Sequence, residues 1–333
     1  MATIHRKRSK SGSNPMVVRS IAIGTTCINL ILALYYFFFS QVETKSSRMN
    51  LKGSYSNHHG RYELRHHPQI FNERNQVSDA EHLIIVAGHS VTISGHLEDA
   101  EIDEKDWYLL GYQKGKGLPQ AIIAHIRAGI LEAAKDPKSL LIFSGGETRS
   151  DAGPETEGGS YFRVSDAMNL WGEPRKRDEY FPGAFDVRAR TTSEEFATDS
   201  FQNIMFSICR FKEVTGSYPI KITVVSFSFK KKRFVDLHAP ALRFPPEHFH
   251  FIGVDPDDST GFDIKASSEG ELMNAAKPFE TDPYGCNTEV LIKKRKERNP
   301  FFRTPPYEIS CPNMSPLLTW CEKQIIPASK VPW

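Results

Sequence analysis

Short apolar runs that each stop at glycine or a small polar residue recur along this chain, and they leave few folds open. His82-Leu83-Ile84-Ile85-Val86-Ala87 stops at Gly88-His89, and Leu140-Leu141-Ile142-Phe143 stops at Ser144-Gly145-Gly146. Ile222-Thr223-Val224-Val225-Ser226 leads into Phe229-Lys230-Lys231-Lys232-Arg233, and Phe249-His250-Phe251-Ile252-Gly253 ends at Val254-Asp255. Runs this short, with little polar alternation, suit strands covered on both faces. Helical patterns lie between them. Pro119 opens one that reaches about Lys135, proline being suited to a first turn. A second begins near Ser160. A third, Glu194 to Glu213, spaces Ala197, Phe201, Ile204, Met205 and Ile208 along one face, with Thr192 and Glu195 as its capping box. Further helices are expected from about Lys230 to Arg243, Ser267 to Ala276 and Gly285 to Glu297, and a short strand at Phe185–Arg188. A proline-rich tail ends the sequence.

Strands alternating with helices imply a parallel sheet with helices on both faces. The expected fold is α/β: a Rossmann-like three-layer α/β/α sandwich with a mostly parallel sheet. In such a sheet ligands bind where strands stop.

The first part of the chain reads differently. Ser20 to Phe39 contains no charge and is long enough to cross a bilayer. Five of the 42 basic residues (Arg6, Lys7, Arg8, Lys10 and Arg19) precede it, and no acidic residue occurs before Glu43. That asymmetry leaves the N-terminus cytosolic and the body lumenal or extracellular, as in a single-pass type II protein of an endomembrane such as ER or Golgi. No small-residue cleavage site follows Tyr35-Tyr36-Phe37-Phe38-Phe39, so a signal-anchor is expected rather than a cleaved leader. The expected organisation is a basic tail over 1–19, an anchor over 20–39, a stem over 40–79, the α/β domain over 80–265, and a helical, proline-rich appendage packed on it over 266–333. Beyond the tail, 37 basic residues face 40 acidic ones, which argues against nucleic acid as a partner. Among Cys27, Cys209, Cys286, Cys311 and Cys321, Cys209 reads as a packed thiol. A lumenal setting permits one bridge among the last three, most simply Cys311–Cys321.

Candidate site residues cluster at the strand ends. Gly88, Gly145 and Gly146 let the backbone approach a ligand closely, and their amides suit phosphate or carboxylate oxygens if they point into the crevice. Arg149, Lys230 and Arg233 supply charge for an anion, with Lys230 at a helix start, where an anion also relieves the dipole. Glu147, Glu157 and Glu194 sit on separate loops where carboxylates could hold a divalent cation or act as a base, so Glu157 and Glu194 are the catalytic candidates. Ser160, Ser200, Asn203 and Ser226 complete the expected ligand contacts; no set of metal ligands stands out. Asp255-Pro256-Asp257 resembles the Asp-x-Asp pattern by which glycosyltransferases hold a metal, but proline and aspartate are turn formers and the turn is the reading preferred. No Gly-x-Ser-x-Gly or Gly-x-Gly-x-x-Gly and no zinc-like Cys/His spacing occurs.

The order of these motifs resembles the domain of unknown function shared by the bacterial envelope proteins ElyC, SanA and YdcF, in its membrane-anchored fungal and plant form. The resemblance covers roughly residues 80–255. Ser144-Gly145-Gly146 matches the family's Ser-Gly-Gly, and Thr156-Glu157-Gly158 stands at its Ser-Glu-Ala. Glu194, Ala197, Asp199, Ser200, Gln202 and Asn203 keep the spacing of Glu-x-x-Ser-x-Asn-Thr-x-Glu-Asn. Val225, Ser226, Phe229, Lys230 and Arg233 keep that of Val-Thr-x-x-Phe-His-x-x-Arg, with Lys230 where the family has histidine. The resemblance implies a Rossmann-like fold, a crevice at the strand ends and a role at a membrane or envelope. With the site residues, it leads to an expected function. That function is binding, hydrolysis or transfer of a phosphate-bearing small molecule, nucleotide-like or lipid-linked. A non-catalytic ligand-binding module at a membrane and a type II glycosyltransferase are the alternatives.

Overall fold

Five parallel strands in the order β3-β2-β1-β4-β5 form the centre of the protein. They are β1 (His82–Ala87), β2 (Ser139–Ser144), β3 (Thr191–Glu194), β4 (Lys221–Ser226) and β5 (Phe249–Gly253). The structure is a computed structural model that describes residues 77–171 and 187–333. The expected anchor Ser20–Phe39 lies outside those residues. Among the described residues no helix is long and apolar enough to cross a membrane.

Side chains that alternate along each strand feed two apolar layers, because successive Cβ atoms point to opposite faces. Leu83, Ile85, Leu140, Ile142, Ile222 and Val224 meet Phe201, Ile204 and Ile208 of α3 (Ser200–Thr215) on one face. Ile84, Val86, Leu141, Phe143 and Val225 meet Ile122, Ile123 and Ile126 of α1 (Leu118–Lys135) on the other. Tyr161 and Val164 of α2 (Glu157–Ala167) join that second layer. β1 and β2 are buried along their whole length, as their unbroken apolar runs require. The chain past 266 shares the same interior: Phe279, Tyr284, Leu291, Tyr307, Met314, Leu317 and Ile326 belong to the first layer.

Several boundaries differ from the sequence expectation. The stretch Thr191–Glu194 is not a helix start but an edge strand, in register with Leu141–Ser144. Helix α3 begins at Ser200, and its cap is Asp199, which accepts from the Gln202 amide at 2.9 Å; Thr192 and Glu195 form no capping box. Helix α2 begins at Glu157, with Thr156 accepting from the Gly159 amide at 3.0 Å. Of the expected strand Phe185–Arg188, the first half lies outside the described residues, and Val187 and Arg188 are in a turn. The disulfide joins Cys286 to Cys321, not Cys311 to Cys321; Cys311 is a buried free thiol, as is Cys209.

Two helices carry widened turns. The helical run after β4, α4, opens as a tight turn at Ser228–Lys230, widens to π geometry over Arg233–His238 and closes over Ala239–Ala241. The run α5 is regular over Ile264–Glu271, widens over Leu272–Ala276 and ends over Lys277–Thr281. Each widened stretch stops two residues before a proline, Pro240 or Pro278. A proline ring collides with the carbonyl four residues back, here Asp236 or Asn274, and a wider turn relieves that collision. Both widened helices border the cavity described next.

Candidate functional site

The chain runs from β1 outward through β2 to β3, then crosses back to β4 and β5. The reversal falls between β1 and β4. Loops leaving these two strands depart in opposite directions and open a crevice at their ends. A cavity of about 630 Å³ lies there, bordered by Gly88 and His89 after β1, Ser226 to Arg233 after β4, and α5 and α6 (Glu289–Glu297) above. Its size suits a small ligand.

Six basic side chains and four carboxylates line this cavity. The cations are Lys116, Arg149, Lys230, Arg233, Lys294 and Arg298; the acids are Glu157, Asp199, Asp263 and Glu271. Among the described residues, Arg233 is the only one of these cations with a carboxylate within ion-pair distance, its Nε standing 3.0 Å from Glu271 Oε1. Both atoms are buried and poorly aligned for a hydrogen bond, and the Nε of Arg149 is buried without a partner too. Asp199 is neutralised elsewhere, accepting from Arg295 Nε at 2.6 Å. Burial would raise the Asp199 carboxyl, but the charge and hydrogen bond of Arg295 hold it below the usual range.

Arg233 is the buried cation of the set, and Lys230 stands three residues before it. The Lys230 Nζ lies 3.3 Å from His89 Nδ1 and 5.0 Å from the centre of the Phe227 ring. Burial first, and then the neighbouring Arg233, pull its ammonium down to about 7. Burial and the charge of Lys230 likewise hold His89 well below its usual range, so His89 is neutral. A neutral His89 that accepts from Lys230 at Nδ1 carries its proton on Nε2, which faces Ser226 Oγ at 3.4 Å. Lys294 is also depressed, to about 8, by burial and by Arg298.

The sequence-derived candidates divide between this cavity and its surroundings. Gly88, Arg149, Glu157, Ser200, Asn203, Ser226, Lys230 and Arg233 line it. Gly145 and Gly146 do not. Their amides donate to the carbonyls of Glu194 (3.0 Å) and Ala197 (2.8 Å), so neither is offered to an anion. What Gly88 and Gly145 provide is room: a Cβ on either would come within 2.5 Å and 2.4 Å of Glu157 Oε2. The α2 N-terminus is closed as well, the amides of Glu157 and Gly158 donating to Gly146 and Gly145. Ser160 is a buried tie that accepts from the Thr92 amide at 3.0 Å. Ser200 Oγ is 2.7 Å from Nε2 of the buried His238. Asn203 turns its amide back to Ser144, donating to the carbonyl at 3.0 Å and to Oγ at 2.9 Å.

Of the three expected carboxylates, only Glu157 faces the cavity. It accepts from Thr148 Oγ1 at 2.6 Å. Glu194 is fully buried beneath the strand ends, accepting from Ser144 Oγ (2.7 Å), the Phe196 amide (2.8 Å) and Tyr307 Oη (3.2 Å). Burial lifts its carboxyl to about 7 against those bonds. Glu147 pairs with Arg303. Among the described residues no three His, Cys, Asp or Glu side chains converge as a group that could hold a metal ion. Asp255 accepts from the Ser228 amide at 2.9 Å, a tie between the loops that follow β5 and β4, and Asp257 accepts from the Ser259 amide at 2.9 Å within its own turn; neither lines the cavity.

His89, Lys294, Arg298 and Glu271 were not among the candidates. His89 was legible as the residue after Gly88 at a strand end. Lys294 and Arg298, four apart on one helical face, had a local signal but no indication of which surface they would meet.

Fold and site together define a parallel α/β protein with a basic cavity at the reversal point of its sheet. The chain is similar to the uncharacterized protein YOR238W of Saccharomyces cerevisiae, with 32% identity over 236 residues that cover 60% of this chain and 76% of that protein. It belongs to the family of that yeast protein. No family model and no solved structure matches it.

Proposed function

We propose that this is a membrane-anchored, Rossmann-like protein of the ElyC/SanA/YdcF type whose cavity binds a phosphate-bearing small molecule and acts on its phosphoryl group. One observation carries this reading: among the described residues, five of the six cations around the cavity have no carboxylate within ion-pair distance, and two of the six, Arg149 and Arg233, have a buried Nε without a well-aligned partner. Buried charges are ordinarily paired. A phosphate between Lys230, Arg233 and Arg298 would pair them and would restore the ammonium of Lys230.

Glu271 then stands where a ligand oxygen would go, and the phosphate competes with it for Arg233. Glu157 is a cavity carboxylate at the strand ends that forms no ion pair among the described residues, and its remaining lone pairs suit a base that takes a proton from water attacking phosphorus. Lys230 holds the proton that the leaving oxygen needs, and the cations stabilise the charge on the equatorial oxygens. The Cys286–Cys321 bridge suits the oxidising compartment in which a type II topology would place this body.

Titration of pyrophosphate into the full-length protein tests the binding, with p-nitrophenyl phosphate turnover as the test of chemistry. Glu157→Gln is expected to keep pyrophosphate affinity and lose turnover. Turnover at the unchanged rate would remove Glu157 from the chemistry. Alkaline carbonate is expected to leave the chain in the membrane pellet, and deletion of Ser20–Phe39 to release it; release of the intact chain would contradict the anchor.

A further inference from the structure

Beside the cations the cavity lining has a stack of near-parallel aromatic rings. The rings of Phe227 and Phe262 are 5.4 Å apart and nearly parallel, with 7° between their planes. Phe229 lies 5.1 Å from Phe227 at 19° and 6.3 Å from Phe262 at 19°. Aromatic side chains elsewhere in this interior meet edge-on or tilted, as Phe201 meets Tyr284 at 86° and Phe206 meets Tyr307 at 42°. Three rings held in one orientation therefore form a slab. Phe227 is its buried member, while Phe229 and Phe262 are half-buried, and all three line the cavity.

The slab and the anion site share a residue. Lys230 Nζ stands over Phe227 at 5.0 Å and over Phe229 at 5.9 Å. Phe262 comes from a different segment, the loop before α5. Gln113 and Asp263 also line the cavity. A ligand seated here meets cations at one end and parallel π-faces beside them. A simple inorganic anion uses only the first. A flexible isoprenoid chain gains apolar contact from the slab but nothing from its flatness. A planar heteroaromatic ring gains both, since stacking depends on face-to-face area.

We propose that the ligand is a nucleoside phosphate, with its base stacked on the Phe229–Phe262 face and its phosphate held by Lys230 and Arg233. This rests on the phosphate-binding reading above and narrows it from any phosphate ester to one carrying a planar base. Residues Phe229 and Phe262 then set ligand class, while Lys230 and Arg233 set the requirement for charge.

The test is calorimetric titration of the full-length protein with three probes: ADP, pyrophosphate and farnesyl diphosphate. ADP is expected to bind at least about tenfold more tightly than either of the others, the range that stacking of one base supplies. Phe262→Leu keeps the apolar bulk and removes the flat face. It is expected to abolish the advantage of ADP while leaving pyrophosphate unchanged, and Phe229→Leu to act in the same direction. Farnesyl diphosphate binding more tightly than ADP, or ADP no tighter than pyrophosphate, would overturn the nucleoside inference and leave the phosphate site standing. Failure of all three probes to bind would end the phosphate reading itself. Thermal melts of both leucine variants separate lost stacking from lost folding.

Discussion

Two halves of the same sheet rim carry similar residues and have opposite characters. Under β2 and β3, Ser144, Glu194, Asn203 and Tyr307 form a closed network in which the Glu194 carboxylate accepts three hydrogen bonds. Above β1 and β4, Arg149, Lys230, Lys294 and Arg298 face a cavity, with no carboxylate of the described residues within ion-pair distance of them. Both halves look like binding sites in the sequence. The closed half is a joint: it fastens the C-terminal segment, through Tyr307, to the sheet. The open half keeps its charge because the chain reverses direction there and no loop fills the gap. Polar residues at a strand end mark a ligand site only where their hydrogen-bonding groups are left over.

The largest effect expected from this contrast lies on the closed side. The carboxyl of Glu194 titrates near 7 in the fold against 4.5 for the ordinary group, so its protonated form is the one the fold favours. Its stabilising contribution is fully present below about pH 4.5 and is lost as pH rises through about 7. That amounts to on the order of 3 kcal/mol. Glu194→Gln is expected to remove this slope from a series of urea melts across that window. An unchanged slope would mean that Glu194 is not sealed.

On the open side, Lys230→Met is expected to weaken pyrophosphate binding by about 10- to 100-fold, the range for one charge-assisted contact, without lowering the melting temperature. Ser144→Ala should do the reverse, lowering stability by about 1–3 kcal/mol and leaving pyrophosphate affinity alone. If both variants changed both readouts, the rim would be one site rather than two.

Protonation gives a smaller, graded effect. Lys230 faces Arg233 and Arg298, which depress it, and Glu271 and Glu157, which support it, with neutral His89 in contact. Only its ammonium attracts an anion. Pyrophosphate affinity is therefore expected to fall by up to about tenfold per pH unit above about 7, relative to Lys230→Met, in which this component is absent. Parallel pH profiles would remove Lys230 from the site. The smallest effect is expected at Glu271, whose carboxylate competes for Arg233. Glu271→Gln should tighten pyrophosphate binding by about fivefold, consistent with roughly 1 kcal/mol for a partly aligned pair. Weaker binding would make Glu271 a supporting residue instead of a competitor.

The three inner strands and the edge strand β5 are legible because each is a short, largely apolar run bounded by glycine or serine, which fits a parallel sheet better than any surface element. β3 is not, because Thr191-Thr192-Ser193-Glu194 has no apolar signature; it is a strand only through its register with β2. Helix α3 was placed six residues early for the same reason, since Glu194 and Glu195 read as first-turn acids. Gly145-Gly146 was read as an anion cradle, yet its amides are taken by Glu194 and Ala197, and Gly145 is small to make room for Glu157. Lys230 and Arg233 were readable as basic residues opening a helix. Arg298, Lys294 and Glu271 were not, because their meeting with β4 depends on how distant helices pack. The proline-associated widening of α4 and α5 had a local cause in Pro240 and Pro278 that spacing alone did not reveal. The nearer cysteine pair, Cys311 and Cys321, lost to Cys286 and Cys321 because Cys311 is buried against Tyr218, 3.5 Å from its hydroxyl.

On the proposed function the cations between β1 and β4 form the anion site, and the glycine turn after β2 does not. Crystals of the protein soaked in tungstate, a heavy phosphate analogue, test it directly by anomalous diffraction. The expected result is a peak in contact with Lys230 and Arg233, with Glu271 displaced from the arginine. A peak seated on the Gly145–Gly146 turn, or an empty cavity with Glu271 still on Arg233 at saturating tungstate, would contradict it.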